Sequence, residues 1–236
     1  MLKPHLAARR EFEFEGIVPW GRRFAEYEAF FALDDHALSG PVLDVGGGPS
    51  SFVAEARANG VDATAADPLY RHTGEEIGIR FEETAVAMRA GLRRAAYRFN
   101  WDYYGSEEAV HRLRREALAL FLEDFAQGRP AGRYVTAALP ALPFRSGQFR
   151  LALVSHLLFL YGDVLNLDFH LAALRELMRV AEEVRVFPLV NLDGLPSSHL
   201  PGVVRALRAE GAEAELVNVP FEFQRGATRM LRAGRR

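Results

Sequence analysis

The sequence predicts an α/β fold: a doubly wound, mostly parallel sheet, closed by a C-terminal antiparallel hairpin and carrying a helical insert after its second strand. Three observations predict it. Short apolar runs alternate with helical patterns from Val42 onward. The first run, Val42 to Val45, leads straight into Gly46-Gly47-Gly48, and the next, Val61 to Ala66, ends in an acid, Asp67. Strand, glycine turn, helix, strand and acid in that order suit a nucleoside-containing ligand. Glycines let the backbone approach the ligand, and the acid accepts hydrogen bonds from ribose hydroxyls. A tight strand-to-helix turn alone would account for the glycines but leaves Asp67, about 20 residues downstream, unexplained.

The elements follow in order. Gly16 to Leu38 predicts a helix, with Phe24, Tyr27, Phe30 and Phe31 near helical spacing. After the first strand a helix is expected over 51–58, stopped by Asn59-Gly60. The stretch 71–130 reads as helical and is long for one crossover. Met88, Leu92, Ala95 and Phe99 share one face there, and the period resumes at Val110 after a break over 100–106. This insert is placed to cover the ligand site. Strands are then expected over 134–139, 149–155, 184–190, 214–219 and 227–233, with helices from Leu171 to Ala181 and from Leu200 to Ala209. The last two strands are close enough to pair as a hairpin, with Gln224-Arg225-Gly226 as its turn. That makes seven strands in a single domain spanning 1–236, with residues 1–39 as an N-terminal helical cap.

Composition narrows the chemistry. At 236 residues, 49% hydrophobic and 25% charged, the chain has the balance of a soluble globular protein. A net charge of −2 supplies no field for nucleic acid or acidic membranes. Cysteine is absent, which removes disulfides, thiolate catalysis and thiolate metal ligands. No apolar run has the ~18 residues of a membrane span, and Met1 to Phe14 is too charged for a signal peptide, so a cytoplasmic protein is the expectation.

Four motifs in order resemble the class I S-adenosylmethionine-dependent methyltransferases. Val42-Leu43-Asp44-Val45-Gly46-Gly47-Gly48 resembles that family's first motif, and Asp67 matches its ribose-binding acid. Leu142-Pro143-Phe144, followed by Phe149, resembles the segment entering the fourth strand. Leu174-Arg175-Glu176-Leu177-Met178-Arg179-Val180 resembles the helix before the fifth. The resemblance covers residues 40–70 and 133–236. It implies a Rossmann-like seven-stranded sheet, S-adenosylmethionine as cofactor, and methyl transfer. By the same resemblance Gly46, Gly47, Gly48, Pro49 and Ser50 approach the methionine part of the cofactor, with Asp44 shaping that loop. Asp67 and Pro68 border the ribose, Ala138 and Leu139 the adenine, and Ser155 the reacting end. The chain departs from the pattern in three places: Ser50 stands for the third glycine, Ala138 for an acid that often holds the adenine amino group, and Arg150 for an acid that often follows Phe149. An atypical member that no longer methylates is therefore a second reading, alongside an RNA methyltransferase. An NAD-dependent oxidoreductase is a third, although Ser51 occupies the last glycine position of G-x-G-x-x-G.

Methyl transfer asks mainly for alignment, because the sulfonium already activates the carbon. His156, after the fourth strand, is the candidate base, with a core histidine as the plainer alternative. Trp20, Tyr27, Trp101 and Tyr104 are candidates for an acceptor pocket, although ordinary packing also suits aromatics. Asp163, Asn166, Asp168 and His170 could hold a hard metal, but Asp168 also suits a helix N-cap, and no metal is assigned. The amino-methylating signature of Asn or Asp followed by Pro-Pro is missing at Ser155-His156-Leu157-Leu158. A small-molecule acceptor is therefore expected ahead of nucleic acid.

Overall fold

The computed structural model describes residues 18–235. Residues 1–17 lie outside the described residues, and with them the charged start and the beginning of the expected N-terminal cap. Strands β1 (Val42–Val45), β2 (Ala63–Ala66), β3 (Tyr134–Val135), β4 (Phe149–Ser155), β5 (Ala181–Phe187), β6 (Glu213–Asn218) and β7 (Arg229–Gly234) form one sheet. Their spatial order is β3-β2-β1-β4-β5-β7-β6. The first five are parallel, and β7 runs antiparallel to both β5 and β6. This is the doubly wound sheet with a C-terminal hairpin that the motifs imply, the class I methyltransferase fold.

The central strands read as continuous apolar runs because both faces are covered. Alternation along them sends side chains to two cores. Val42, Leu151 and Leu153 join one, with α1 (Phe24–Phe31), α2 (Phe52–Ala58), α3 (Gly74–Arg94) and α4 (Glu107–Gly128). Leu43, Ala152 and Val154 join the other, with α5 (Leu167–Val180) and α6 (Leu200–Ala209). The order of strand addition reverses between the parallel neighbours β1 and β4, and in such sheets ligands bind outside the carboxyl ends at that switch.

The insert is a pair of packed helices, α3 and α4, separated by a short 3-10 turn, Ala96–Arg98. A capping box starts α3: Thr73 Oγ1 accepts from the Glu76 amide at 3.2 Å, and Glu76 accepts from the Thr73 amide at 2.8 Å. Ser106 Oγ caps α4 through the Ala109 amide.

Several expected boundaries move, each for a local reason. The first helix covers only Phe24–Phe31, and residues 18–23 have no regular secondary structure, the Trp20 amide turning back to the Val18 carbonyl at 2.9 Å. β2 starts at Ala63, because the Val61 amide still donates to Ala56 at the end of α2. β3 stops at Val135 rather than 139: it pairs only with β2, which ends at Ala66, and Pro140 has no N–H to donate. β5 runs from Ala181 to Phe187, in register with β4 from Phe149, and ends before Pro188. The N-cap of α5 is Asn166, whose Oδ1 accepts from the Phe169 amide at 2.9 Å, and not Asp168. Among the described residues no helix is long and apolar enough to cross a membrane.

Candidate active site

The turn after β1 is built by its glycines. Gly46 and Gly48 have φ of 73° and 58°, and a Cβ at Gly47 would lie 2.1 Å from Asp44 Oδ2. Asp67 ends β2 beside this turn. Its Oδ2 accepts from the Gly48 amide at 2.9 Å and its Oδ1 from the Leu69 amide at 2.7 Å. Tyr70 closes the far side, donating to the Gly48 carbonyl at 2.8 Å.

Above these strand ends lies a cleft of about 470 Å³. Of the expected cofactor residues, Gly46, Gly47, Gly48, Asp67, Pro68, Ala138, Leu139 and Ser155 line it. Asp44, Pro49 and Ser50 stand behind the wall. Asp44 is fully buried and takes the Tyr27 hydroxyl at 3.0 Å. Ser50 Oγ donates to the Arg22 carbonyl at 2.8 Å, and the Ser51 amide donates to the same oxygen at 3.1 Å. A Cβ on Gly21 would fall 2.0 Å from the Pro49 carbonyl oxygen. The serine that replaces the third glycine therefore tethers the 18–23 segment to the loop.

That segment brings Val18 and Arg22, which the sequence reading did not single out, beside Trp20, which it did. Val18, Trp20, Arg22 and His156 line both the cleft and a second, smaller cavity of about 110 Å³. These four mark the junction. The inner chamber beyond is walled by Met88 and Leu92 of α3, Val110 of α4, and Phe187, Phe221 and Phe223. On the outer side, Arg80, Glu83 and Thr84 of α3 border the cleft, so the insert forms one of its walls. Among the proposed aromatics, Trp20 lies at the junction, Tyr27 lines the cleft and Tyr104 the chamber. Trp101 lines neither: its Nε1 donates to the Ala96 carbonyl and its ring packs on Phe99 and Phe223. The hairpin loop reaches the chamber as well, since Phe221, Phe223 and Gln224 line it.

His156 follows the last residue of β4 with a φ of 53°, a left-handed conformation unusual for a residue with a side chain. Its amide donates to the Phe187 carbonyl at 2.6 Å, and its Nδ1 lies 2.9 Å from Ser155 Oγ. Burial, and then the charges of Arg22 and Arg114, push the imidazole well below its usual range, so it is neutral at pH 7. Burial pushes Asp44 up to about 7, against the Tyr27 hydrogen bond. Burial also raises Asp67.

A buried ion pair joins α1 to the insert. Arg114 donates to both Glu26 oxygens, at 2.7 and 2.6 Å, and to the Tyr104 hydroxyl at 3.0 Å, while Tyr104 donates to Glu26. Burial raises Glu26, but Arg114 outweighs it and holds the carboxyl below its usual range.

Two of the four residues considered for a metal have other work. Asn166 caps α5, and His170 is fully buried, with its Nδ1 2.8 Å from the Asn166 carbonyl. Among the described residues no group of three potential ligands comes together.

No family model matches the chain. Over 223 residues it is 32% identical to the uncharacterized protein MJ0045 of Methanocaldococcus jannaschii, covering 94% of this chain and 98% of that one. Among solved structures it is similar to the pyocyanin biosynthetic protein PhzM, at 17% identity and a TM-score of 0.43, over 90% of this chain and 54% of that one. It is also similar to the mitomycin 7-O-methyltransferase MmcR, at 12% and 0.46 over 90% and 54%. A SAM-dependent methyltransferase from Aquifex aeolicus matches at 12% and 0.41 over 88% and 90%. The chain spans about half the length of PhzM and MmcR. At these TM-scores the structural likenesses add nothing to what the strand order gives.

Proposed function

The chain belongs to the same family as MJ0045, and from that premise we propose that it is an S-adenosylmethionine-dependent methyltransferase acting on a small molecule. The observation that carries the reading is the junction. A nucleoside-type cleft, with glycine turn and acid in place, shares Val18, Trp20, Arg22 and His156 with a second chamber beside it. A cofactor alone needs one cavity; a transfer needs two that meet.

The residues present fit the cofactor. The backbone of Gly46 to Gly48 is open to the cleft, and Asp67 presents its carboxylate there while its amide partners fix its direction. Ala137, Ala138, Leu139 and Leu69 offer an apolar edge for a flat base. When bound, S-adenosylmethionine supplies a methyl group already activated by the sulfonium. The protein's part is to hold the acceptor in line and to keep water out. His156, neutral and anchored through Nδ1 to Ser155, leaves Nε2 as the ring nitrogen to take a proton from the acceptor as needed.

Two features favour a small acceptor over a polynucleotide. The chamber is narrow, about 110 Å³, and bordered by the insert and the 18–23 segment, and the chain has a net charge of −2. The test is calorimetric titration with S-adenosylhomocysteine and, separately, with NADH. One-to-one binding of S-adenosylhomocysteine with no NADH binding supports the proposal. Tight NADH binding, or binding of neither, refutes it.

A further inference from the structure

Three buried N–H groups that lack a partner belong to residues of the inner chamber: Trp20 Nε1, Arg22 Nε and Arg114 Nε. All are donors. A buried donor left without an acceptor costs roughly 1–3 kcal/mol, so a ligand that accepts from residues of this one cavity would offset part of that cost.

Their charges differ in how they are met. The Arg114 charge is matched by Glu26, which takes both terminal nitrogens. The Arg22 guanidinium donates from Nη1 to the Trp20 carbonyl at 2.7 Å and forms no ion pair among the described residues. The remaining polar neighbours are uncharged. Tyr104 is bonded to Glu26, the Tyr161 hydroxyl accepts from the Val18 amide at 3.1 Å, and His156 is neutral. Among the described residues the chamber thus holds one positive charge more than is balanced, within walls of Met88, Leu92, Phe99, Val110, Phe187 and Phe221. A buried cation without a counter-charge is costly, and an anion supplied by a ligand removes that cost. Guanidinium geometry suits a carboxylate, and the rings suit a flat apolar body.

We infer that the inner chamber takes a small organic acid, its carboxylate facing Arg22 and the Trp20 indole N–H and its apolar body among the aromatic side chains. Resting on the methyl-transfer reading, this acid is the acceptor class. Because Arg22 also borders the outer cleft, the same carboxylate chemistry could come from the methionine end of the cofactor, and the test separates the two sources.

The probes are para-fluorobenzoate and its uncharged isostere para-fluorobenzamide, followed by fluorine NMR with and without saturating S-adenosylhomocysteine. Wild type is expected to bind the acid saturably and at least about tenfold more tightly than the amide. Arg22→Met is expected to lose about tenfold or more in acid affinity, with S-adenosylhomocysteine and 5′-methylthioadenosine affinities changing by one common factor. Equal affinity for acid and amide overturns the inference without relying on any variant. No saturable acid binding up to about 10 mM also overturns it. So does an Arg22→Met protein that loses S-adenosylhomocysteine but keeps 5′-methylthioadenosine, since Arg22 then serves the cofactor's carboxylate. Failure of the methyl-transfer reading shows itself separately, as acid binding in a protein that does not bind S-adenosylhomocysteine.

Discussion

Asp67 accepts a hydrogen bond from the Gly48 amide at 2.9 Å, so the acid that ends β2 and the turn that follows β1 form one unit. The carboxylate meant for the ribose is aimed by the same loop that meets the rest of the cofactor.

Asp67→Ala should therefore act twice. It removes a charged hydrogen-bond acceptor from the cleft and leaves the Gly48 and Leu69 amides without their partner. Affinity for S-adenosylhomocysteine should fall by about 10- to 100-fold, and urea unfolding should show a loss of about 1–3 kcal/mol. A stability loss with unchanged affinity would confine Asp67 to the turn.

Gly47→Ala tests how the loop rests on Asp44. A methyl group 2.1 Å from Asp44 Oδ2 must displace either the loop or the carboxylate, at an expected cost of about 1–3 kcal/mol. In an Asp44→Ala background the same change should cost markedly less, a coupling that a double-mutant cycle measures. Additive costs would mean that the strain lies elsewhere.

Asp44 also gives a pH signature. Its folded-state value is raised from 3.8 to about 7, chiefly by burial, so its contribution to stability is full below 3.8 and is lost as pH rises through about 7. Asp44→Asn stays neutral throughout. Relative to wild type it should gain on the order of 2 kcal/mol between about pH 5 and pH 8, read by urea unfolding at both. A difference independent of pH would contradict the raised value.

The Glu26–Arg114 pair predicts an asymmetry. Arg114→Met leaves a buried carboxylate unpaired and should cost about 3–5 kcal/mol, while Glu26→Leu with Arg114→Met together should cost much less. Glu26 is held below its unfolded value of 4.5, so its stabilisation is present above that pH and is lost as pH falls through the folded value. Thermal melts of the single and double variants across that range check both statements.

The backbone at His156 can be tested apart from its ring. With φ at 53°, His156→Gly should be more stable than His156→Ala by about 1 kcal/mol, measured by thermal unfolding. Equal stabilities would mean the left-handed conformation relaxes when the imidazole is removed.

How far the sequence carried depended on the kind of signal. β4 and α6 fall on the expected residues, because each is bounded by a local feature: Gly147 before Phe149, and Pro201 and Gly211 around Leu200–Ala209. β3 and β5 were misjudged at their ends because a strand's length is set by its neighbour and by proline, and β2 is too short to extend β3. In the site, the glycine turn and Asp67 were legible as a local pattern. Arg22 was not, since nothing in its spacing marks it; it reaches the junction because Ser50 and Ser51 bind its carbonyl across 28 residues or more. Trp101 illustrates the converse: an aromatic in the insert that packs on its own turn instead of the chamber.

The most direct measurement is a structure of the protein with S-adenosylhomocysteine bound. The account predicts the ribose hydroxyls on Asp67, the adenine along Ala138 and Leu139, and the sulfur at the junction of Val18, Trp20, Arg22 and His156, facing the inner chamber. A nucleoside seated away from Asp67, or a sulfur turned from that junction toward solvent, would contradict it.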